Sequence, residues 1–150
     1  MAAATLQVRD YMAMEVVKVD VSDSVFDAAQ KMIEKNVGCV VAIQNDDIIG
    51  VVTKGDVIKN SLLRLQDPKS TRVSTIMTTP VVTIGPDESL EEAARIMSSR
   101  QVSKLPVIED DSGLLVGIIT ASDIVRVEPG YVGYLKDLIF SKSSRPSQNS

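Results

Sequence analysis

The chain contains no histidine, no tryptophan and a single cysteine, Cys39. Histidine is the commonest general base and metal ligand near neutral pH, so its absence removes most hydrolase and zinc-site chemistry at once. One cysteine can form neither an internal disulfide nor a thiolate cluster, and Cys39, set in the apolar run 37–43, reads as a small buried hydrophobe. Glycine-rich phosphate loops of the Gly-x-Gly-x-x-Gly and Gly-x4-Gly-Lys-Ser/Thr types are missing, as is a nucleophile elbow. So is an excess of positive charge: 16 basic and 20 acidic side chains are interspersed and sum to −4, whereas phosphate-backbone binding needs a basic face. No apolar run approaches the roughly 18 residues of a membrane span, and the first ten residues lack the apolar stretch of a secretory signal. These absences predict a cytoplasmic protein that has no catalytic residues or metal site and binds neither membrane nor nucleic acid.

What the chain has instead is a repeat. Residues 8–59 realign on 73–126 at an offset of 65, which becomes 67 after Ser112 and Gly113 are inserted in a turn. A repeat of this length is one supersecondary unit that needs a neighbour to cover its apolar face. With 150 residues and 44% apolar content, the chain can bury a real core. Each copy opens with a short segment, 8–12 or 73–77, able to form one or two helical turns. The β-branched stretches 16–19 and 81–84 follow, bounded by turn formers, and predict strands. Helical periodicity comes next: Val25, Ala28, Ala29, Met32 and Ile33 form one stripe, and Leu90, Ala93, Ala94 and Met97 repeat most of it. Ser24-x-x-Asp27 and Ser89-x-x-Glu92 are capping boxes at the two helix starts, the second being the stronger match.

Strands are predicted at 40–44 and 105–109, then at 48–53 and 114–120, the last pair nearly all apolar as in strands covered on both faces. Closing helices are predicted from about 55 to 63 and from about 122 to 127. The unit is β-α-β-β-α, an α/β (α+β) fold, with one copy in 1–66, a second in 67–128 and a tail in 129–150. In the tail, 131–140 reads as a short helix that either packs on its own body or forms a self-association surface. Residues 141–150 are polar and predict disorder.

The copies close on Gly50-Val51-Val52-Thr53-Lys54-Gly55-Asp56 and Gly117-Ile118-Ile119-Thr120-Ala121-Ser122-Asp123. Where a buried strand passes into a helix, a threonine hydroxyl and the first helical amides point outward together and favour phosphate. An aspartate one turn on can accept from the paired hydroxyls of a ribose, and Val51 and Ile118 can line a slot for a flat base. Ser/Thr-x-x-Asp/Glu is also an ordinary helix cap. Recurrence of the glycine and the aspartate in both copies favours a ligand, because a cap needs neither, and one residue can serve both roles.

Together with the Val-x-x-x-Met openings, the Ser-Val-Phe-Asp-Ala-Ala and Ser-Leu-Glu-Glu-Ala-Ala helix starts and Leu105-Pro106-Val107, these strings resemble the cystathionine β-synthase-type, or CBS, domain, over residues 8–127. The resemblance implies two copies packed through their sheets into one pseudo-two-fold module with two clefts, and modules paired as homodimers. It implies an adenosine ligand, AMP, ADP or ATP first and S-adenosylmethionine or NAD second, reported to a regulated protein, with no catalytic cofactor. On the same footing Thr53 and Thr120 contact phosphate or ribose, and Asp56 and Asp123 hold ribose hydroxyls. Val16 and Val81 flank the base, and Lys104 meets phosphate. In the first copy Cys39 stands where Lys104 stands in the second, and Val41 where Pro106 stands, with Lys54 as a substitute charge. The alternatives are a constitutive scaffold whose threonines and aspartates only cap helices, and an accessory part of an enzyme.

Overall fold

The computed structural model describes residues 5–139, so the tail predicted as disordered lies outside the described residues. In chain order the elements are α1 (Val8–Tyr11), β1 (Lys18–Asp20), α2 (Val25–Lys35), β2 (Cys39–Gln44), β3 (Asp47–Thr53), α3 (Lys54–Ile58), α4 (Leu90–Arg100), β4 (Lys104–Ile108), β5 (Leu115–Thr120), α5 (Ala121–Val127) and α6 (Val132–Ile139). A π-helical stretch, Lys59–Leu63, prolongs α3, and single 3-10 turns occupy Val73–Thr75 and Pro129–Tyr131. The fold is mixed α+β and forms two compact units, one of residues 16–81 and one joining the segment before Val16 to the chain from Val82 on.

In the unit of residues 16–81, β1 pairs parallel with β2, and β2 pairs antiparallel with β3. Strand alternation turns Val19, Val40, Ala42 and Val52 to one face, where they share a core with Ala28 and Met32 of α2 and with Val73. Ser24 and Asp27 cap α2 reciprocally, Asp27 N–H donating to Ser24 Oγ at 3.0 Å and Ser24 N–H to Asp27 Oδ2 at 3.4 Å. The predicted stripe is buried at Val25, Ala28 and Met32, but Ile33 is 77% exposed. At about 100° per residue, Ile33 sits roughly 110° from the centre of the buried stripe, beyond its edge.

In the other unit, α4 buries Leu90, Ala93, Ala94 and Met97 against Leu105 and Val107 of β4 and Ile119 of β5. Its cap is half made, against the sequence expectation. Glu92 N–H donates to Ser89 Oγ at 3.0 Å, but the Glu92 carboxylate accepts from Arg95 Nε at 2.9 Å instead of reaching back. The guanidinium offers the stronger, charge-assisted partner, and its hydrogen bonds hold the Glu92 carboxyl below its ordinary pKa.

The strand expected at 81–84 is reduced to one bridge, Ile84 beside Val107. Pro106 explains the loss. In the first copy Val41 N–H donates to Val17 O at 2.9 Å and extends the parallel ladder. Pro106 occupies the matching position and has no N–H to give, so only Ile84 N–H to Pro106 O, at 3.1 Å, and Ile108 N–H to Ile84 O, at 2.9 Å, form. The tail segment does become a helix, and of its two readings it packs on its own body: Leu135 of α6 is fully buried in the core that holds Ile124 of α5.

The opening segments lie where the repeat along the chain does not put them. Val8 N–H donates to Glu88 O at 2.9 Å and Ala13 exchanges two 2.9 Å bonds with Ile118, so the chain's first segment covers β5. Val73 N–H donates to Asp23 O at 2.8 Å, and Thr78 exchanges bonds of 2.8 and 3.2 Å with Val51 of β3. Each unit therefore joins one copy's sheet to the other copy's opening segment.

Candidate functional site

Thr53 and Thr120 end buried strands in extended backbone, φ −106° and −117°, and cap the helices that follow. Both caps are reciprocal. Asp56 N–H donates to Thr53 Oγ1 at 3.2 Å and Thr53 N–H to Asp56 Oδ2 at 2.9 Å; the matching bonds between Asp123 and Thr120 measure 3.1 and 3.0 Å. Each threonine hydroxyl keeps its proton to donate, and each aspartate keeps a second oxygen. That oxygen differs between the copies: Asp123 Oδ1 accepts from Arg126 Nη1 at 3.1 Å, whereas Asp56 Oδ1 has no hydrogen bond among the described residues. Arg126 is missing from the sequence-derived site, although its place one turn after Asp123 was the available signal.

Strand register gathers the rest. Cys39 lies opposite Thr53, and Lys104 lies opposite Thr120. Continuing the parallel register of Lys18 with Val41 brings Val16 level with Cys39; in the second copy the parallel pairing is confined to Ile84 with Val107, and Val81 belongs to the unit of residues 16–81. Val51 and Ile118, two residues before the threonines, share their strand face. The unit of residues 16–81 thus holds a row, Val16–Cys39–Thr53, and the other unit a pair, Lys104–Thr120, each ending at an aspartate one helical turn away. Each lies on the sheet face opposite the one that packs on α2 or α4, since the alternating neighbours Val40, Val52, Leu105 and Ile119 are the core residues. Lys104 is half-buried with Nζ 3.5 Å from Ser103 Oγ, whereas Cys39 is buried. No group of three or more potential metal ligands occurs among the described residues, and no described helix is long and apolar enough to cross a membrane.

Two parts of the sequence argument change. The helix starts offer fewer open amides than expected: Lys54 N–H donates to Gly38 O at 3.1 Å and Ala121 N–H to Ser103 O at 2.8 Å, while the third amides serve the caps. The helix that starts at Lys54 runs on through the π-helical stretch to Leu63, so it is the number of open amides and not the dipole that is reduced. The recurrent glycines also have a packing duty. A Cβ on Gly50 would stand 2.8 Å from Thr78 O, and one on Gly117 would stand 2.5 Å from Met12 Sδ and 2.8 Å from Ala13 O. The methionines of the Val-x-x-x-Met openings lie on the glycines of the closing strings, so these two motifs are one contact.

Because the caps are complete, Thr53→Val and Thr120→Val should each lower the unfolding free energy by about 1 kcal/mol. Thr→Ser at either position should recover most of it. Urea denaturation of the variants checks this, and a null effect at both threonines would contradict the cap geometry.

The CBS domain family model matches residues 8–62 and 73–130. An uncharacterized protein of Methanocaldococcus jannaschii is 35% identical over 127 residues, 83% of this chain and 66% of that protein. The inosine-5'-monophosphate dehydrogenase of Korarchaeum cryptofilum is 32% identical over 126 residues, 83% of this chain and 25% of the enzyme. The chain therefore spans just under two thirds of the first relative and a quarter of the second. Among solved structures, the CBS domain pair of protein MJ0100 in complex with 5'-methylthioadenosine and S-adenosyl-L-methionine superposes with a TM-score of 0.75 at 26% identity, covering 85% of this chain and 98% of that one.

Proposed function

The chain belongs to the CBS domain family as a tandem pair, and from that premise we propose that it is a regulatory sensor of an adenine nucleotide of the AMP, ADP or ATP type. The observation that carries this reading is that each unit sets a reciprocally capped Thr-x-x-Asp opposite the first residue of the paired strand, Cys39 or Lys104. Val16 and Val51, or Val81 and Ile118, supply apolar surface for a base. Thr53 and Thr120 donate their free hydroxyl protons to phosphate or ribose, and Asp56 and Asp123 accept from the ribose diol. Lys104 adds a phosphate contact in the second copy, with Lys54 as its substitute in the first. The adenosine ligands of the MJ0100 pair support an adenosine-type ligand here. The match within a dehydrogenase supports a regulated protein as partner. We place the module in the cytoplasm as a homodimer and assign it no catalytic step.

The test is a thermal-shift screen of protein freed of co-purified nucleotide against AMP, ADP, ATP, NAD, S-adenosylmethionine and 5'-methylthioadenosine. A ligand bound only by the folded state at about 100 times Kd stabilises by about 2.7 kcal/mol. A selective shift that is lost in the Asp56→Ala, Asp123→Ala double variant is the expected result. The complete caps favour a second reading, a constitutive scaffold, for which no ligand on the panel raises the melting temperature.

A further inference from the structure

A cavity of about 510 Å³ lies away from both Thr-x-x-Asp strings, between the outer flank of α4 and the turn into α6. Its walls include the rings of Tyr131 and Tyr134, with Ala94 and the Glu91 carboxylate on the α4 side. The volume falls in the usual range of small-molecule sites. The Glu92–Arg95 ion pair also borders it, but these charges satisfy each other, so Glu91 remains as the net charge of the lining. A smaller cavity of about 240 Å³ shares Glu91 and Tyr131 and adds Glu128. The phenol of Tyr131 is raised above its ordinary pKa, first by burial and then by the negative charge of Glu91 and Glu128, so both carboxylates act at this ring.

The chemistry of the lining, two tyrosines and an acid, points to the ligand. The centroids are 6.2 Å apart and the planes are inclined at 51°. A flat base cannot stack on two faces set at that angle. A compact cation in the cavity would meet tyrosine ring surface, whose quadrupole attracts cations within ~6 Å, together with the Glu91 carboxylate. We propose that this corner binds a small organic cation, an ammonium-bearing molecule held by Tyr131 and Tyr134 and neutralised by Glu91. Both tyrosines and α6 lie beyond residue 130, where the second CBS match ends.

Fluorescence of the 150-residue chain tests the proposal directly, since Tyr11, Tyr131 and Tyr134 are its only tyrosines and it has no tryptophan. The probes are choline and its uncharged isostere 3,3-dimethyl-1-butanol. Choline should change the tyrosine emission saturably, and the isostere should bind at least about tenfold more weakly. Tyr134 is 67% exposed, so Tyr134→Leu removes a ring face without opening the core. It should weaken choline binding about tenfold, Tyr134→Phe should restore it, and Glu91→Gln should weaken it severalfold. Equal binding of choline and the isostere, no saturation by choline, or parental affinity in both Tyr134→Leu and Glu91→Gln would overturn the assignment. If Tyr134→Leu fails to fold, Glu91→Gln and the isostere comparison decide.

Discussion

Gly117→Ala is expected to cost about 2 kcal/mol of stability and to lower the melting temperature by about 5–10 °C. The new Cβ would stand 2.5 Å from Met12 Sδ and 2.8 Å from Ala13 O. The methionine side chain can turn away. The carbonyl cannot, because Ala13 and Ile118 exchange both of their backbone bonds at 2.9 Å and any retreat breaks that pair. Met12→Ala in the Gly117→Ala background should therefore recover only part of the loss. Gly50→Ala should behave alike, with Thr78 O at 2.8 Å, whereas Gly130→Ala, with nothing within 4 Å of its Cβ, should melt close to the parent. Calorimetry on the four variants measures this. A Gly117→Ala protein melting within a degree of the parent would mean that the opening segment does not lie on β5.

Leu135→Ala should be costlier still. Leu135 is fully buried in the core with Leu105, Ile119 and Ile124, and truncating such a leucine typically costs about 2–5 kcal/mol. It is also the one fully buried residue of α6, so its loss should release the helix and remove amide-exchange protection across Val132–Ile139 before the rest of the unit opens. Asp137→Ala, exposed on the same helix, should change stability by no more than about 0.5 kcal/mol. Unchanged α6 protection in Leu135→Ala, read by hydrogen exchange, would show that α6 is anchored elsewhere.

How much of this was legible in the sequence differs from element to element. Helix α4 was read correctly because all four apolar positions of its stripe lie within the arc that packs on the sheet. Ile33 was misplaced because it lies just outside the equivalent arc on α2, a difference of one helical position that a pattern of apolar letters does not resolve. The strand at 81–84 was overestimated because its β-branched residues are good strand formers, while the donor that the ladder lacks belongs to Pro106, more than twenty positions along the chain. The Ser89 cap was overestimated because a good Glu92 was in place and its competitor, Arg95, is read as a cap breaker only once its side chain is seen to fold back.

The candidate site divides in the same way. Thr53, Asp56, Thr120 and Asp123 could be found from the chain alone, since a cap and the string around it are local and occur twice. The recurrence of Gly50 and Gly117 could be seen but not explained, because what a missing Cβ leaves room for is another segment's backbone. The sequence by itself determined the repeat, the order and type of nearly all elements and the residues that cap them, since these follow from burial periodicity and hydrogen bonding within a few residues. Only the tertiary structure decided which opening segment lies on which sheet, that Lys104 lies opposite Thr120, and that two tyrosines close a cavity on α4. Those outcomes depend on strand register and helix docking, which bring together residues far apart in the chain and leave no periodic trace in it.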